Sequence, residues 1–475
     1  MKPTTLTRRA LLRAAGVGLG ALAMPRALRG ASPQSDKRPP NIIFLLTDDL
    51  GWGDPRCYGH PYIQTPNLDR LAKQGTRFTQ FYVNNPVCSP SRTAFMTGHF
   101  PARHRVHQHF ARPEQNKARG MPDWLDENAT TVTDVLKTRG YATAHFGKWH
   151  LCNGWSKGAP TPSAYGIDEH RTVNSTGPTF AERRDPYFRA KSTGLFVDET
   201  LRFIRKHKDK PFFVNLWTLV PHAVLKPTPE ELKVYEQLTV DRNVFKGYMR
   251  KYAAEAPKLD AQMKVYAAAV TGMDKAIGRL LDELDRMGLS DNTLIFFTSD
   301  NGPEDYHVGN ARNAGMGSPG GFRGRKRSIY EGGVRTSCIV RWPGHVPAGR
   351  VDETSVLTGV DFLPTMCVLA GAKVPDIQPD GEDVSDMLMG KTRARRKPIL
   401  WEWRGGVAGN PAYRPPSLAI REGNWKLLVN PDGGGAELYD IPKDPGEKTS
   451  LAGKHGDVVR RLKAQVLAWR KTLPK

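Results

Sequence analysis

Twelve residues, VCSPSRTAFMTG from Val87 to Gly98, set a thiol one helical turn before an arginine, with Pro90 between them. The apolar run that follows predicts a helix, so Cys88 opens it and Arg92 lies on the same face. By residue type alone, Cys88 is a buried structural thiol or a thiolate nucleophile activated by the helix N-terminus and Arg92. Elsewhere the pairs Asp48-Asp49 and Asp300-Asn301 offer only oxygen, with no histidine beside them. Such hard donors suit calcium or magnesium rather than zinc, and a divalent ion would relieve the repulsion among three clustered carboxylates. Lys148 and His150, in GKWH, and His222, in VPHAV, add cations and proton carriers. Singly, each of these residues reads as a solvated strand end or a helix cap.

The elements that must position them explain why they belong together. NIIFLLTDD is a continuous apolar run ending in acids, which predicts a buried strand over 41–47. NLDRLAKQG follows as a helix closed by Gly75. Further apolar runs, YATAHFGKWH, PFFVNLWT and NTLIFFTSDNG, alternate with amphipathic helices near 131–139, 196–207 and 260–287. That βαβ alternation predicts an α/β fold with a mainly parallel sheet sandwiched by helices. Ligands in such sheets bind beyond the carboxyl ends of the strands, and all four strand ends carry the residues named above. After about residue 395 the texture changes to short strands (PILWEWR, SLAIREGNWKLLVN, AELYDI) and a closing helix over about 456–471. This divides the chain into 36–395, the catalytic part, and 396–475, an antiparallel-sheet subdomain with a helix. Stretches 99–128 and 301–327 are long Gly-, His- and Arg-rich loops, of the kind that tends to serve function.

Residues 1–35 carry Arg8-Arg9, a short apolar run from about Ala14 to Met24 and then small residues. The pattern is that of a twin-arginine export signal, cleaved after Ala23, Ala27 or Ala31, and it predicts an exported, periplasmic or extracellular protein handled by the twin-arginine machinery. No stretch is long and apolar enough to span a bilayer. The net charge of +22 falls to +16 when the six basic residues of 1–35 are removed. A surface of that sign attracts polyanions: nucleic acid, anionic membrane or sulfated polysaccharide. There is no nucleic-acid recognition module. The five cysteines, Cys57, Cys88, Cys152, Cys338 and Cys367, follow no zinc spacing, and their odd number leaves at least one thiol outside intramolecular pairing.

Taken together, NIIFLLTDDLGWGD, CSPSRTAFMTG, GYATAHFGKWHL, VPHAV, FFTSDNG and GRKRSIYEGGVR resemble the type I sulfatases of the alkaline phosphatase superfamily, from about Pro39 to the C-terminus. RWPGHVPAGRV and AIREGNWKLL look most like the arylsulfatase A and N-acetylgalactosamine-6-sulfatase types. The resemblance implies a third reading of Cys88, as the precursor of formylglycine. It also implies one calcium ion held by Asp48, Asp49, Asp300 and Asn301 beside residue 88. Arg92 would support the formylglycine hydroxyls, Lys148 and Lys326 would bind sulfate, and His150 and His222 would move protons. A formylglycine-generating maturation enzyme is a further implied partner. Two positions depart from the family pattern: Cys152 and Arg327 stand where glycine is usual.

On this resemblance the aldehyde hydrates to a geminal diol, one hydroxyl attacks sulfur with help from Asp300, and His222 protonates the leaving alcohol. His150 then deprotonates the second hydroxyl, which expels sulfate. The substrate would be a sulfated carbohydrate or polysaccharide, or an aryl sulfate, with the basic loops His99–Arg119 and His307–Arg325 lining the pocket. The competing readings are a phosphonate or phosphate ester hydrolase on the same formylglycine site, and a polyanion-binding relative with an idle site.

Overall fold

The computed structural model describes residues 38–474, with 306, 310 and 407–412 excepted, so the export signal expected in 1–35 lies outside the described residues. Strand β1 (Asn41–Asp48) is buried along its whole length. It pairs in parallel with β5 (Phe212–Pro221) on one side and β6 (Thr293–Ser299) on the other. A strand covered on both faces has no use for polar residues, which is why its sequence is a continuous apolar run. Its side chains alternate between two cores: Ile42, Phe44 and Leu46 enter one, and Ile43 and Leu45 the other.

The large sheet runs β4-β3-β5-β1-β6-β7-β2-β8, with β9 also on β2. The added strands are β2 (Thr76–Tyr82), β3 (Ala142–Lys148), β4 (Glu169–Val173), β7 (Arg335–Arg341), β8 (Arg350–Asp352) and β9 (Leu357–Thr358). All are mutually parallel except β7, which is antiparallel to both neighbours. The expected α/β sandwich is therefore present, widened by β2, β4, β7, β8 and β9, none of which stands out as an apolar run. The helices Phe188–His207 and Leu259–Arg286 cover one face. Cys88–Thr97, Val132–Lys137 and Phe362–Leu369 cover the other.

On that second face lies a four-stranded antiparallel sheet, β10 (Ile399–Glu402), β11 (Leu418–Glu422), β12 (Trp425–Val429) and β13 (Glu437–Asp440). The helix Gly456–Lys471 inserts Leu462, Val466 and Trp469 into the same core. Trp401 of β10 donates its indole N–H to the Val83 carbonyl at 2.8 Å. Lys426 of β12 is fully buried between Glu331 (3.0 Å) and Glu447 (2.9 Å). The long basic loops contain short helical turns at Pro101–His104, Pro113–Ala118 and Ala314–Met316. All five cysteines are free thiols. Among the described residues no helix is long and apolar enough to cross a membrane.

Candidate active site

Parallel register brings the strand ends level. Thr47 of β1 pairs with Ser299 of β6, so Asp48-Asp49 and Asp300-Asn301 leave the sheet side by side. On the other flank Leu46 and Gly147 both align with Trp217 of β5, which sets Lys148 at the same height. Gly147 is required there: its φ is 115°, and a Cβ would stand 1.9 Å from the Trp217 carbonyl oxygen. The helix Cys88–Thr97 begins at this edge, with Cys88 as its first residue and only 3% exposed.

Arg92 passes under the edge. It donates from Nη2 to Asp300 Oδ2 at 2.7 Å and from Nη1 to the Lys148 carbonyl at 2.7 Å, and its guanidinium lies 4.9 Å from the Trp217 ring centre. Lys148 Nζ reaches Asp48 at 2.7 Å. Lys326 Nζ reaches Asp49 at 2.6 Å and Glu304 at 3.4 Å. Arg327 grips the same Glu304 with both guanidinium nitrogens. His150 sets Nδ1 3.3 Å from Cys88 Sγ and Nε2 3.1 Å from the Phe110 carbonyl oxygen. His222 Nε2 lies 3.7 Å from Asp49, and its Nδ1 donates to the Ala223 carbonyl at 2.8 Å. Ten residues singled out in the sequence (Asp48, Asp49, Cys88, Arg92, Lys148, His150, His222, Asp300, Asn301 and Lys326) are thus in one place. Of these, Asp48, Cys88, Lys148, His150, His222 and Lys326 line a cavity of about 360 Å³. Asp49, His150 and Arg327 adopt left-handed φ of 69°, 55° and 71°, strain of the kind that collects at functional sites.

Electrostatics divides the acids. Burial works to raise the Asp48 carboxyl, but Lys148, with Arg92 and Lys326, outweighs it and holds it well below the usual range. Asp300 is pushed well above that range by burial and by the Asp48 charge, with Arg92 only partly offsetting them. Two adjacent carboxylates ionise together only at a cost, and these two are pushed in opposite directions. Burial, with Lys148 and Arg92, drives His150 well down, so the ring is neutral. Burial and Lys326 lower His222 to about 4, although 31% of its side chain stays open to the cavity.

The same cluster fits a hard cation. Asp48, Cys88 and Asp300 bring one ligand atom each within 4.8 Å of one another. Asp48 Oδ1 and Asn301 Oδ1 are buried with no hydrogen-bond partner. Buried oxygens left over after every nearby cation has been paired are what an oxygen-coordinated divalent ion would satisfy.

Several residues of the cavity carry no sequence signal of their own. Glu304, which neutralises Lys326 and Arg327, lies three residues beyond Asn301 and reads as ordinary loop. His109, Asn153, Trp155 and Arg189 also line the cavity. His109 falls in the basic loop expected there. Arg189 opens a helix remote in sequence from every motif.

Comparison with known proteins gives a consistent result. The family model described as Sulfatase matches residues 40–372, and that described as N-sulphoglucosamine sulphohydrolase, C-terminal, matches 321–472. Arylsulfatase A of Homo sapiens is 31% identical over 468 residues, an alignment covering 90% of this chain and 87% of the relative. N-acetylgalactosamine-6-sulfatase of Canis lupus familiaris is 30% identical over 508 residues, covering 98% and 90%. The crystal structure of Ps i-CgsB in complex with k-i-k-neocarrahexaose superposes with a TM-score of 0.73 at 27% identity, covering 91% of this chain and 93% of that one.

Proposed function

The chain belongs to the sulfatase family, and on that premise we propose that it hydrolyses sulfate esters of a carbohydrate, using residue 88 as formylglycine and one calcium ion. The observation that carries this reading is the meeting of Cys88, Asp48 and Asp300 within 4.8 Å, beside Lys148 and Lys326. Two relatives support a sugar ester: one is an N-acetylgalactosamine-6-sulfatase, and another was crystallised with a neocarrahexaose.

Calcium at Asp48, Asp49, Asp300 and Asn301 would supply positive charge against the sulfate oxygens and the crowded carboxylates. Oxidised to formylglycine, residue 88 would supply an aldehyde hydrate with two hydroxyls, one to attack sulfur and one to expel the sulfate. The remaining work falls to the chain's own side chains. Lys148 and Lys326, both buried, neutralise the sulfate, and the N-terminus of the Cys88–Thr97 helix adds its partial positive charge. Arg92 positions Asp300 next to residue 88, where its carboxylate would help deprotonate the attacking hydroxyl. The Phe110 carbonyl takes the Nε2 proton of His150, so the Nδ1 lone pair faces residue 88 as its base. His222 rests neutral, and the proton it delivers to the leaving alcohol must first come from solvent through the open cavity. Each turnover consumes one water and releases an alcohol and sulfate.

Cys88 is 3% exposed, so a maturation enzyme would have to act before folding hides it. With twin-arginine export of the folded chain, that step falls in the cytoplasm. The surplus charge of +16 beyond residue 35 favours encounter with a polyanionic substrate.

The test is the mass of the tryptic peptide containing Cys88, measured beside turnover of matched aryl sulfate and aryl phosphonate. The peptide should have lost sulfur and two hydrogens and gained one oxygen, and the sulfate should be the faster substrate. An active preparation with wholly unmodified Cys88 would sink the formylglycine chemistry, and faster phosphonate turnover would favour the phosphonate hydrolase reading.

A further inference from the structure

The cations that line the cavity differ in one respect. Lys148 has Asp48, Lys326 has Asp49 and Glu304, and Arg327 has Glu304. Arg189 lines the same cavity and has no carboxylate partner among the described residues. Its Nη1 donates to the Leu219 carbonyl at 2.8 Å, and among the described residues no further hydrogen bond holds the guanidinium. Burial pulls its pKa down, with Asp48 and Asp49 only partly offsetting the effect. Arg189 is half-buried, and a partly desolvated charge without a counter-charge is ordinarily paired or ligand-facing.

Its position says which part of a substrate it meets. Arg189 is the second residue of the helix Phe188–His207, whose N-terminus has no side-chain cap and carries the positive end of the helix dipole. Leu219, which fixes it, lies at the end of β5, three residues before His222. It therefore lines the cavity beside the end of β5 that leads to His222, where the leaving alcohol would take its proton. Trp155 also lines the cavity. It is 61% exposed, and the Arg112 guanidinium lies 5.3 Å from its ring centre. An exposed indole at a pocket mouth offers a flat apolar face to a sugar ring.

From this arrangement we infer that the site selects a sulfated sugar bearing a second anionic group, a carboxylate or another sulfate, which pairs with Arg189 while the scissile sulfate occupies the Lys148–Lys326 side. The inference rests on the sulfatase reading and adds to it the substrate class. Arg189 is the specificity-determining residue, because guanidinium forms paired charge-assisted bonds with either anion.

The test uses the matured enzyme and three disaccharides of equal size: one with a single sulfate, one with that sulfate and a uronate carboxylate, and one with two sulfates. Aryl sulfate serves as the reference. Wild type should prefer a dianionic sugar over the monosulfated one by about tenfold to a hundredfold in kcat/KM. The carboxylate and disulfate arms identify which anion is favoured. Arg189→Gln should lower kcat/KM for the preferred dianion by about the same factor more than for aryl sulfate, and Arg189→Lys should restore part of the difference. A uniform loss across all substrates in Arg189→Gln would mean that the arginine only braces the end of β5, and would overturn the assignment. Calorimetric binding of the same sugars gives a readout independent of turnover, and equal affinity for monoanion and dianion would also overturn it. Failure of the wild type to cleave aryl sulfate, with dianion-selective binding intact, would count against the sulfatase reading and not against Arg189.

Discussion

His150 presents Nδ1 to Cys88 Sγ at 3.3 Å while its Nε2 faces the Phe110 carbonyl oxygen at 3.1 Å, so the lone pair and not the proton points at residue 88. The carbonyl can only accept, which fixes the tautomer. His150→Ala should therefore lower kcat by about a hundredfold to ten-thousandfold, the usual worth of a positioned general base. The loss should fall on the second half of the reaction, giving a burst of alcohol and a sulfated residue 88 visible by mass spectrometry. Cys88→Ser, if left unconverted, should trap the same kind of adduct, because one hydroxyl leaves no second oxygen to expel sulfate. Slow turnover without a burst would assign His150 to the first half instead.

The unpaired oxygens of Asp48 and Asn301 lead to a metal prediction. Elemental analysis should find one hard divalent ion per chain, and a chelator should abolish turnover and lower Tm, both reversed by calcium. Asn301→Ala should weaken calcium affinity without removing Cys88 modification. Two zinc ions per chain would contradict the all-oxygen ligand set.

His222 is neutral at rest because burial and Lys326 lower it to about 4, and so it matters most when the leaving group needs a proton. A sugar alkoxide does and a phenolate does not. His222→Ala should depress kcat for a sugar sulfate by about a hundredfold or more, and for a nitrophenyl sulfate far less. Equal losses on both substrates would show that the histidine binds sulfate instead of delivering a proton.

The Glu331–Lys426–Glu447 triad links β12 to the segment that follows Lys326, and its two acids titrate in opposite senses. Burial pushes Glu447 up to about 7 against the pull of Lys426. Burial opposes ionisation of Glu331 too, but Lys426 and Arg335 hold it down at about 2. An unfolded glutamate titrates near about 4.3. Glu447 thus binds its proton more tightly in the folded chain, so its contribution is full below about pH 4.3 and is lost as pH rises to about 7. Glu331 does the reverse: its contribution is present above about pH 4.3 and is lost as pH falls to about 2. Glu447→Gln, neutral throughout, should flatten the decline of Tm across the upper window. A decline parallel to wild type in thermal melts would place the titration elsewhere.

The strands that carry the candidate site residues were legible because each is an apolar run with an abrupt polar end. NIIFLLT stops at Asp48, LIFFTS at Asp300, and the YATAHF strand at Lys148. Hydrophobic periodicity is a local property, and so is the one-turn spacing of Cys88 and Arg92 on a single helix. The helix expected over 260–287 and observed at Leu259–Arg286 shows how far such a signal reaches when one face is strongly apolar. The strands that did not stand out are short or polar at their ends: Glu169–Val173 is an edge strand, and Arg335–Arg341 begins and ends in arginine.

Which residues share charge could be decided only in three dimensions. Lys148 and Asp48 are 100 positions apart, and Lys326 and Asp49 are 277 apart. Both pairs form because parallel register levels the strand ends and a loop folds back over them. Asp48 and Asp300 are chemically alike in sequence, yet Lys148 and its neighbours hold the first carboxyl well down against burial, while burial and the Asp48 charge push the second well up. Glu304 and Arg189 lie in unremarkable local sequence, and only the packed chain makes the one a counter-charge for Lys326 and Arg327 and leaves the other facing the cavity without one. Residue type and period are written locally, whereas Coulomb energies depend on distances that the crossover helices and the sheet order set.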